Sequence, residues 1–254
     1  MEIAEIQESM IDYPGRIANI IFTPGCNFRC PACHAKEIVE GQGNYTEERV
    51  LASLAIRKNW LDAVVLCGGE PTMQNTDELV DFLRRVRRAG FEVKLDTNGS
   101  NPEVVERLIE GRLVNYIALD IKAPRNMYNI VAGVDVDAGE IEKSMRVIAG
   151  SGLDYEFRTT VDPILRNGEI SWMSIDEVGS IAGWVWDATR PRVHYLQPFV
   201  AREQGKMVDD RFCTGSLEVE MHRTPQELMQ DMAASVNEKF SGYNMRVRGM
   251  KEVA

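Results

Sequence analysis

Three cysteines in one short segment have the clearest chemistry in this chain. Cys26, Cys30 and Cys33 lie within eight positions, in the run CNFRCPAC. Three thiolates on one loop can hold three corners of an iron-sulfur cube and leave the fourth iron open to a small molecule. The alternative is a structural zinc site, which normally needs four ligands in a closed tetrahedral set. Neither of the two remaining cysteines belongs to a second CxxC pair, so the pattern favours the cluster.

Polar motifs follow at three later points in the chain. The run Gly68-Gly69-Glu70-Pro71 comes first, Asp96-Thr97-Asn98-Gly99 second and Asp120-Ile121-Lys122 third. Each comes at or directly after the end of a short apolar segment with the composition of a strand. Paired glycines allow a close approach of the backbone, while the carboxylates and the lysine supply acceptors and a donor.

The elements that must position these motifs are six short β-branched segments that alternate with helical patterns, which is typical of βα units and a parallel sheet. The predicted strands are 18–23, 63–67, 92–96, 116–121, 155–161 and 192–197, and the predicted helices are 46–59, 76–89, 102–110, 139–151 and 174–186. Six such units make about three-quarters of an eight-stranded barrel, in which reactive groups collect at the carboxyl ends of the strands. An open doubly wound sheet would use the same edge, so the motif positions alone leave both α/β architectures open.

Both ends of the chain add to this predicted core. Residues 3–11 are expected to form an extra edge strand or hairpin that turns at Tyr13-Pro14-Gly15. After Pro198 the alternation stops, and a polar linker leads to a helix near 225–240 and a final strand near 243–247. We therefore predict a core over 1–200 and an extension over 201–254 that packs on it.

Composition excludes several classes of protein. Apolar residues make up 44% and charged residues 27%, as in a folded globular protein, and the net charge of -10 argues against broad binding to nucleic acid. The basic run at 84–88 is best interpreted as the solvated end of a helix. No apolar run approaches the ~20 residues that span a bilayer, and five cysteines with this crowding suit a reducing compartment. The sequence therefore predicts a cytoplasmic protein without a membrane partner.

The cysteine motif, the GGEP run and the DTNG run, taken in this order, resemble the radical S-adenosylmethionine (SAM) enzymes. The resemblance covers about residues 1–200 and is closest to the activating enzymes of glycyl-radical proteins. Within that group, the segments 10–15 (MIDYPG) and 22–27 (FTPGCN) are most similar to activators of the anaerobic ribonucleotide reductase.

This resemblance implies two cofactors, a [4Fe-4S] cluster on Cys26, Cys30 and Cys33 and SAM bound to the open iron. Lys122 is expected to face SAM and joins the cysteines in the implied catalytic set. The other implied SAM contacts are Ala32, Gly68, Gly69, Glu70, Thr97, Asn98, Asp120, Arg158 and Gln197. The GGEP run has an alternative interpretation as a plain strand-to-helix turn.

A monovalent cation is also implied beside the SAM carboxylate. In the related activators, positions that match Asp96, Thr97 and Asp120 surround such an ion, and oxygen ligands suit a hard cation. Asp120 and Lys122 have a simpler interpretation as the ion pair of a strand end.

Three implied SAM contacts have specific alternatives. Arg158 is expected to bind the SAM carboxylate or ribose, and its alternative is an ion pair with Glu70 or Asp120. Gln197 is expected to contact adenine or ribose. Ala32 stands where the family usually has an aromatic residue near the adenine, which removes about 1 kcal/mol of stacking.

Three other residues near the motifs could carry chemistry. His34 is expected to donate a hydrogen bond to the cluster surroundings rather than to bind iron. Cys67 is expected to be a small buried side chain, and Cys213 has no pattern around it.

The implied activity is reductive cleavage of SAM to a 5'-deoxyadenosyl radical, which then takes hydrogen from a glycine of a partner enzyme. The expected partner is the anaerobic ribonucleotide reductase, with flavodoxin or ferredoxin as electron donor. Two alternatives stay open. One is a radical SAM enzyme that modifies a small molecule or another peptide, and the other is an iron-sulfur protein that transfers electrons without catalysis.

Overall fold

A computed structural model describes residues 1–248 of the chain, and most of its strands join one eight-stranded sheet. The strands are β1 (Glu5–Ser9), β2 (Ala18–Thr23), β3 (Ala63–Gly68), β4 (Glu92–Thr97), β5 (Tyr116–Asp120), β6 (Asp154–Val161), β7 (Pro163–Arg166), β8 (Glu169–Trp172), β9 (His194–Pro198) and β10 (Met245–Val247). The helices are α1 (Lys36–Val39), α2 (Glu47–Ile56), α3 (Thr76–Arg88), α4 (Pro102–Glu110), α5 (Tyr128–Ala132), α6 (Ala138–Gly150), α7 (Ile175–Thr189) and α8 (Gln226–Lys239).

The order of the strands decides between the two predicted architectures. It runs β1-β2-β3-β4-β5-β6-β9-β10, with β1 antiparallel to β2 and all other neighbours parallel. A doubly wound sheet reverses its strand order at a switch point, whereas this order advances in one direction as in a barrel. The partial barrel is therefore confirmed. Within residues 1–248, β1 and β10 do not pair with each other, so the side between them is open.

The two faces of the sheet differ in polarity because side chains alternate along each strand. The face toward the helices carries Leu66, Leu95 and Phe157 in the main hydrophobic core. The inner face, which we call the lumen, is charged on its central strands. Its ionisable residues there are Lys94, Asp96, Asp120, Glu156 and Arg158. Apolar burial thus holds the barrel from outside and leaves the lumen for polar chemistry.

Short elements account for most differences from the sequence prediction. The predicted helix at 46–59 ends at Ile56, and α1, α5 and the β7–β8 hairpin were not predicted. Helices of four or five residues have almost no periodicity of their own and form only through tertiary contacts. The predicted N-terminal hairpin is present, since Ile6 of β1 is opposite Ile21 of β2. The basic run lies at the end of α3.

Residues after β9 contribute to the core sheet itself. Helix α8 packs against α7, and β10 pairs with β9 so that Met245 is opposite His194. Residues 249–254 of the predicted extension lie outside the described residues. No helix within 1–248 is both long and apolar enough to cross a bilayer.

The side chain of His194 joins the barrel to the tail. Its ring is fully buried between the Thr159 hydroxyl at 2.9 Å and the Tyr243 hydroxyl at 2.8 Å, and burial lowers its pKa to about 3. The unfolded chain takes up this proton below about pH 6.5, whereas the native protein does not. This contribution to stability is complete above that pH and is lost as the pH falls.

We therefore expect the free energy of unfolding to fall by about 1.4 kcal/mol per pH unit more steeply in the wild type than in His194→Gln, between pH 6 and 4. Urea unfolding at four pH values measures both slopes. Carboxyl groups that titrate in this range affect the two proteins alike. The difference in unfolding free energy at pH 8 gives the cost of the substitution alone. Equal slopes would contradict a neutral buried imidazole.

Candidate active site

The predicted site residues meet at one edge of the barrel. Cys26 lies on the loop after β2, Glu70 on the turn after β3, Asn98 directly after β4 and Lys122 two residues after β5. Gln197 lies near the end of β9, opposite Thr160 of β6. Parallel strands place their carboxyl ends together, so motifs far apart in sequence become neighbours.

The loop of the three cysteines is held by backbone hydrogen bonds from three directions. Gly25 N donates to Ile38 O at 3.0 Å, and Arg29 N donates to Ala132 O at 2.8 Å at the end of α5. Val208 N, in the tail, donates to Cys33 O at 2.9 Å. The elements that sequence analysis missed, α1 and α5, therefore position this loop.

The three thiols are partly buried and lie close enough to influence one another. Burial raises the pKa of Cys26 and of Cys33, and it raises the pKa of Cys30 to about 12, while Lys122 acts in the opposite direction on all three. Cys26 Sγ also accepts a hydrogen bond from Phe28 N at 3.3 Å. Sulfur donors on one loop, with a nearby cation and an N–H group on sulfur, fit an iron-sulfur cluster. Within 1–248, no three histidine, cysteine or acidic side chains form a group that could hold a single metal ion.

The GGE turn lies directly against the cysteine loop. Glu70 N donates to Gly25 O at 2.8 Å, and a Cβ added to Gly69 would lie 1.7 Å from that same oxygen. Gly68 has φ +128°, a conformation that side chains rarely adopt. Only glycines permit this contact, which agrees with the close backbone approach that the sequence predicts.

The Glu70 carboxylate is buried and fully engaged within the protein. Its Oε1 accepts from Thr72 N at 3.1 Å and from the hydroxyls of Thr72 and Thr97, both at 2.7 Å. Its Oε2 accepts from Asn98 N at 2.7 Å. Burial raises the pKa of Glu70, and these hydrogen bonds oppose the rise. Glu70 thus joins the turn after β3 to the turn after β4.

Charged side chains cross the lumen just below these turns. Arg158 donates from Nη1 to Asp96 Oδ2 and from Nε to Asp120 Oδ1, both at 2.8 Å. Lys122 Nζ lies 3.4 Å from Asp120 Oδ2, and Lys94 pairs with Asp96. Burial opposes charge on Lys122, but the Asp120 carboxylate outweighs it and raises the pKa of Lys122. The lowered pKa of Asp96 and of Asp120 and the raised pKa of Lys122 and of Arg158 favour the charged forms of these four groups.

A cavity of about 210 Å³ lies beside the cysteine loop. Its lining includes Pro31, Ala32, Asp162, Ile164 and Phe212. Ala32 and Phe212 belong to one small hydrophobic core, so the tail supplies an aromatic ring beside the loop position that lacks one. Burial raises the pKa of Asp162 to about 7.

Sequence analysis did not identify Asp162 or Phe212. Asp162 directly follows β6, and Lys122 lies two residues after β5, so the position of Asp162 at a strand end was a usable signal. Phe212 lies in a tail segment with no periodicity, and only the fold brings it to Ala32.

The three other candidates are spread around the site. His34 is exposed at the surface after the third cysteine. Cys67 is near the end of β3 on the lumen face, opposite Phe22. Cys213 is buried in the small core of the tail, 3.5 Å from the Ser216 hydroxyl.

Comparison with known proteins identifies the family. Residues 20–169 match the Radical SAM superfamily. A Methanocaldococcus jannaschii protein named as a glycyl-radical enzyme activating enzyme is 33% identical over 195 residues, which are 75% of this chain and 77% of that protein. The 7-carboxy-7-deazaguanine synthase of Methanopyrus kandleri is 27% identical over 215 residues, 70% of this chain and 84% of that protein.

A solved structure with the same fold is SuiB of Streptococcus suis bound to S-adenosylmethionine. The TM-score is 0.63 at 12% identity, over 91% of this chain and 52% of SuiB. This chain therefore spans about half the length of that protein, and the likeness concerns the fold alone.

The close contact between Gly69 and Gly25 can be tested by substitution. We expect Gly69→Ala to destabilise the protein by about 1–3 kcal/mol and to lower the iron bound per chain, because the new Cβ must displace the backbone before Cys26. Gly179→Ala, on α7 with no atom within 4 Å of the added Cβ, is the matched control and should keep its iron. Iron and sulfide analysis after anaerobic reconstitution measures the difference, and equal iron in both variants would contradict it.

Proposed function

The chain belongs to the radical SAM superfamily, and from that premise we propose that it activates a partner enzyme by forming a glycyl radical on it. The observation that carries this proposal is the three-cysteine loop at the carboxyl edge of a barrel whose side is open between β1 and β10. The relation to a named activating enzyme over three-quarters of the chain supports it.

The superfamily uses a [4Fe-4S] cluster and SAM, which the donor set fits. We propose that Cys26, Cys30 and Cys33 hold the cluster. When bound, the cluster supplies the electron that splits SAM into methionine and a 5'-deoxyadenosyl radical. The proposed activity would leave the radical on a glycine Cα of the partner and release 5'-deoxyadenosine.

The chain's own residues bind and orient SAM in this proposal. Gly68 and Gly69 bring backbone groups close to the amino group, and Lys122 faces the ligand with its charge fixed by Asp120. The adenine occupies the cavity beside Ala32, where Phe212 provides the aromatic contact. Asn98 and Gln197 provide further polar contacts from their strand ends.

The lumen must admit a peptide and exclude water at the same time. A closed barrel has no lateral entrance, whereas the gap between β1 and β10 allows a flexible loop of the partner to enter from the side. We propose the anaerobic ribonucleotide reductase as that partner and flavodoxin or ferredoxin as electron donor. All five cysteines are free, which suits the reducing cytoplasm.

A second candidate function is the modification of a small molecule. It is supported by the relation to a synthase named for 7-carboxy-7-deazaguanine.

The assignment of the cysteines predicts opposite results for two substitutions. Cys30→Ala should lose the cluster and all SAM cleavage, because two thiolates cannot hold the cube. Cys213→Ala should keep both, since Cys213 lies in the core of the tail. Iron content and 5'-deoxyadenosine yield with SAM and dithionite measure both variants. SAM cleavage by Cys30→Ala would refute the proposed cluster ligands.

Electron paramagnetic resonance separates the two candidate functions. The reconstituted protein, mixed anaerobically with SAM, dithionite and its co-encoded reductase, should give a glycyl doublet. The control is the same reductase with its radical-bearing glycine changed to alanine, which should give no doublet. Formation of 5'-deoxyadenosine without a doublet would contradict the activating function and favour the small-molecule candidate.

A further inference from the structure

Arg158 lies where the family resemblance implies a monovalent cation. Its guanidinium bridges two of the three implied ligands, with Nη1 at 2.8 Å from Asp96 Oδ2 and Nε at 2.8 Å from Asp120 Oδ1. The arginine side chain is only 11% exposed, so the bridge is inside the lumen. Each of these is a charge-assisted hydrogen bond, which is stronger than one between neutral groups.

The third implied ligand is also engaged within the protein. The Thr97 hydroxyl donates to Glu70 Oε1 at 2.7 Å and accepts from the amide of Gly99 at 3.1 Å. A metal ion at this point would have to break the Arg158 bridge and compete with the Gly99 amide for the hydroxyl oxygen. The residues therefore do not fit the cation that the resemblance implies.

The charges around the bridge lead to the same conclusion. Three carboxylates, Asp96, Asp120 and Glu156, are matched by four cationic side chains within salt-bridge distance. These are Lys94, Lys122, Arg158 and Arg248. When the Glu70 carboxylate beside Thr97 is counted as well, four carboxylates face four cations, so a further ion would find no unmatched negative charge.

We propose that Arg158 is the built-in cation of this SAM site, and that the protein needs no monovalent metal ion. Arg158 is a positioning residue: it fixes Asp120, which in turn fixes Lys122 at 3.4 Å. The inference rests on the SAM cleavage in the proposed function and is independent of which partner or substrate the radical attacks.

The wild-type protein gives the first test. Tetramethylammonium chloride replaces KCl at constant ionic strength, and three quantities are compared: the melting temperature of the cluster-free protein, thallium-205 line width as a probe of cation binding, and 5'-deoxyadenosine formation. We expect no saturable effect of K⁺ on the melting temperature and no saturable broadening of the thallium line. The rates of SAM cleavage in the two salts should agree within about two-fold, or ~0.4 kcal/mol. Saturable stabilisation or activation by K⁺ would overturn the proposal.

Substitution of Arg158 gives the second test. Arg158→Ser removes the bridge and leaves two buried carboxylates, so its melting temperature without alkali ions should fall by about 10 °C. K⁺ or added guanidinium should restore much of this loss and narrow the difference in SAM cleavage. The matched control is Arg166→Ser, because Arg166 also pairs with a carboxylate, Glu177 at 2.7 Å, but outside the lumen. Its melting temperature should not respond to either ion.

The outcomes separate this inference from the proposed function. If neither ion restores the melting temperature of Arg158→Ser, the packing of the arginine side chain rather than its charge is what the site needs, and the inference is wrong. If Arg158→Ser does not fold, Arg158→Lys takes its place, since a single charge without the fork should lose part of the positioning and respond partly to guanidinium. Melting and thallium binding use the cluster-free protein, so they give a result even if no SAM is cleaved.

Discussion

The site depends on one buried carboxylate. Glu70 accepts four hydrogen bonds from the turns after β3 and β4, and its own amide holds the cysteine loop through Gly25. A buried carboxylate is costly unless its oxygens are satisfied. The two bonds from Thr72 lie within the turn after β3, and the bonds from Thr97 and Asn98 join that turn to the end of β4. The same interaction therefore offsets part of the electrostatic cost of burial and sets the distance between the cysteines and the neighbouring strand ends.

A second layer of charge lies below Glu70 in the lumen. There Arg158 connects Asp96 of β4 to Asp120 of β5, so that three adjacent strands are cross-linked through side chains as well as through the sheet. The arginine and the two lysines lower the pKa of both carboxylates against the effect of burial. Ion pairs, rather than apolar contacts, fill this part of the lumen.

Sequence periodicity was sufficient to predict the elements of the barrel, because each long strand and helix has its own pattern of buried and exposed residues. The six predicted strands and the five predicted helices are all present, with ends displaced by up to three residues. Patterns could not predict α1 or α5, which are too short, or the position of Phe212, which depends on contacts between distant segments. The motifs placed the cysteines and Glu70 at the strand edge, but residue types alone could not show that the lone pairs of Glu70 are filled by the protein itself. They also could not show that Arg158 pairs with Asp96 as well as with Asp120, because that depends on distances across the lumen.

The hydrogen bonds between tail and cysteine loop have a consequence for how the protein is made. Val208 and Asp209 donate to the carbonyls of Cys33 and Pro31, yet they leave the ribosome long after those residues do. The nascent loop is uncovered during that interval, and the docked tail closes over it afterwards. The carbonyls of Cys33 and Pro31 therefore receive these two partners only in a late step of folding, after the tail has been synthesised.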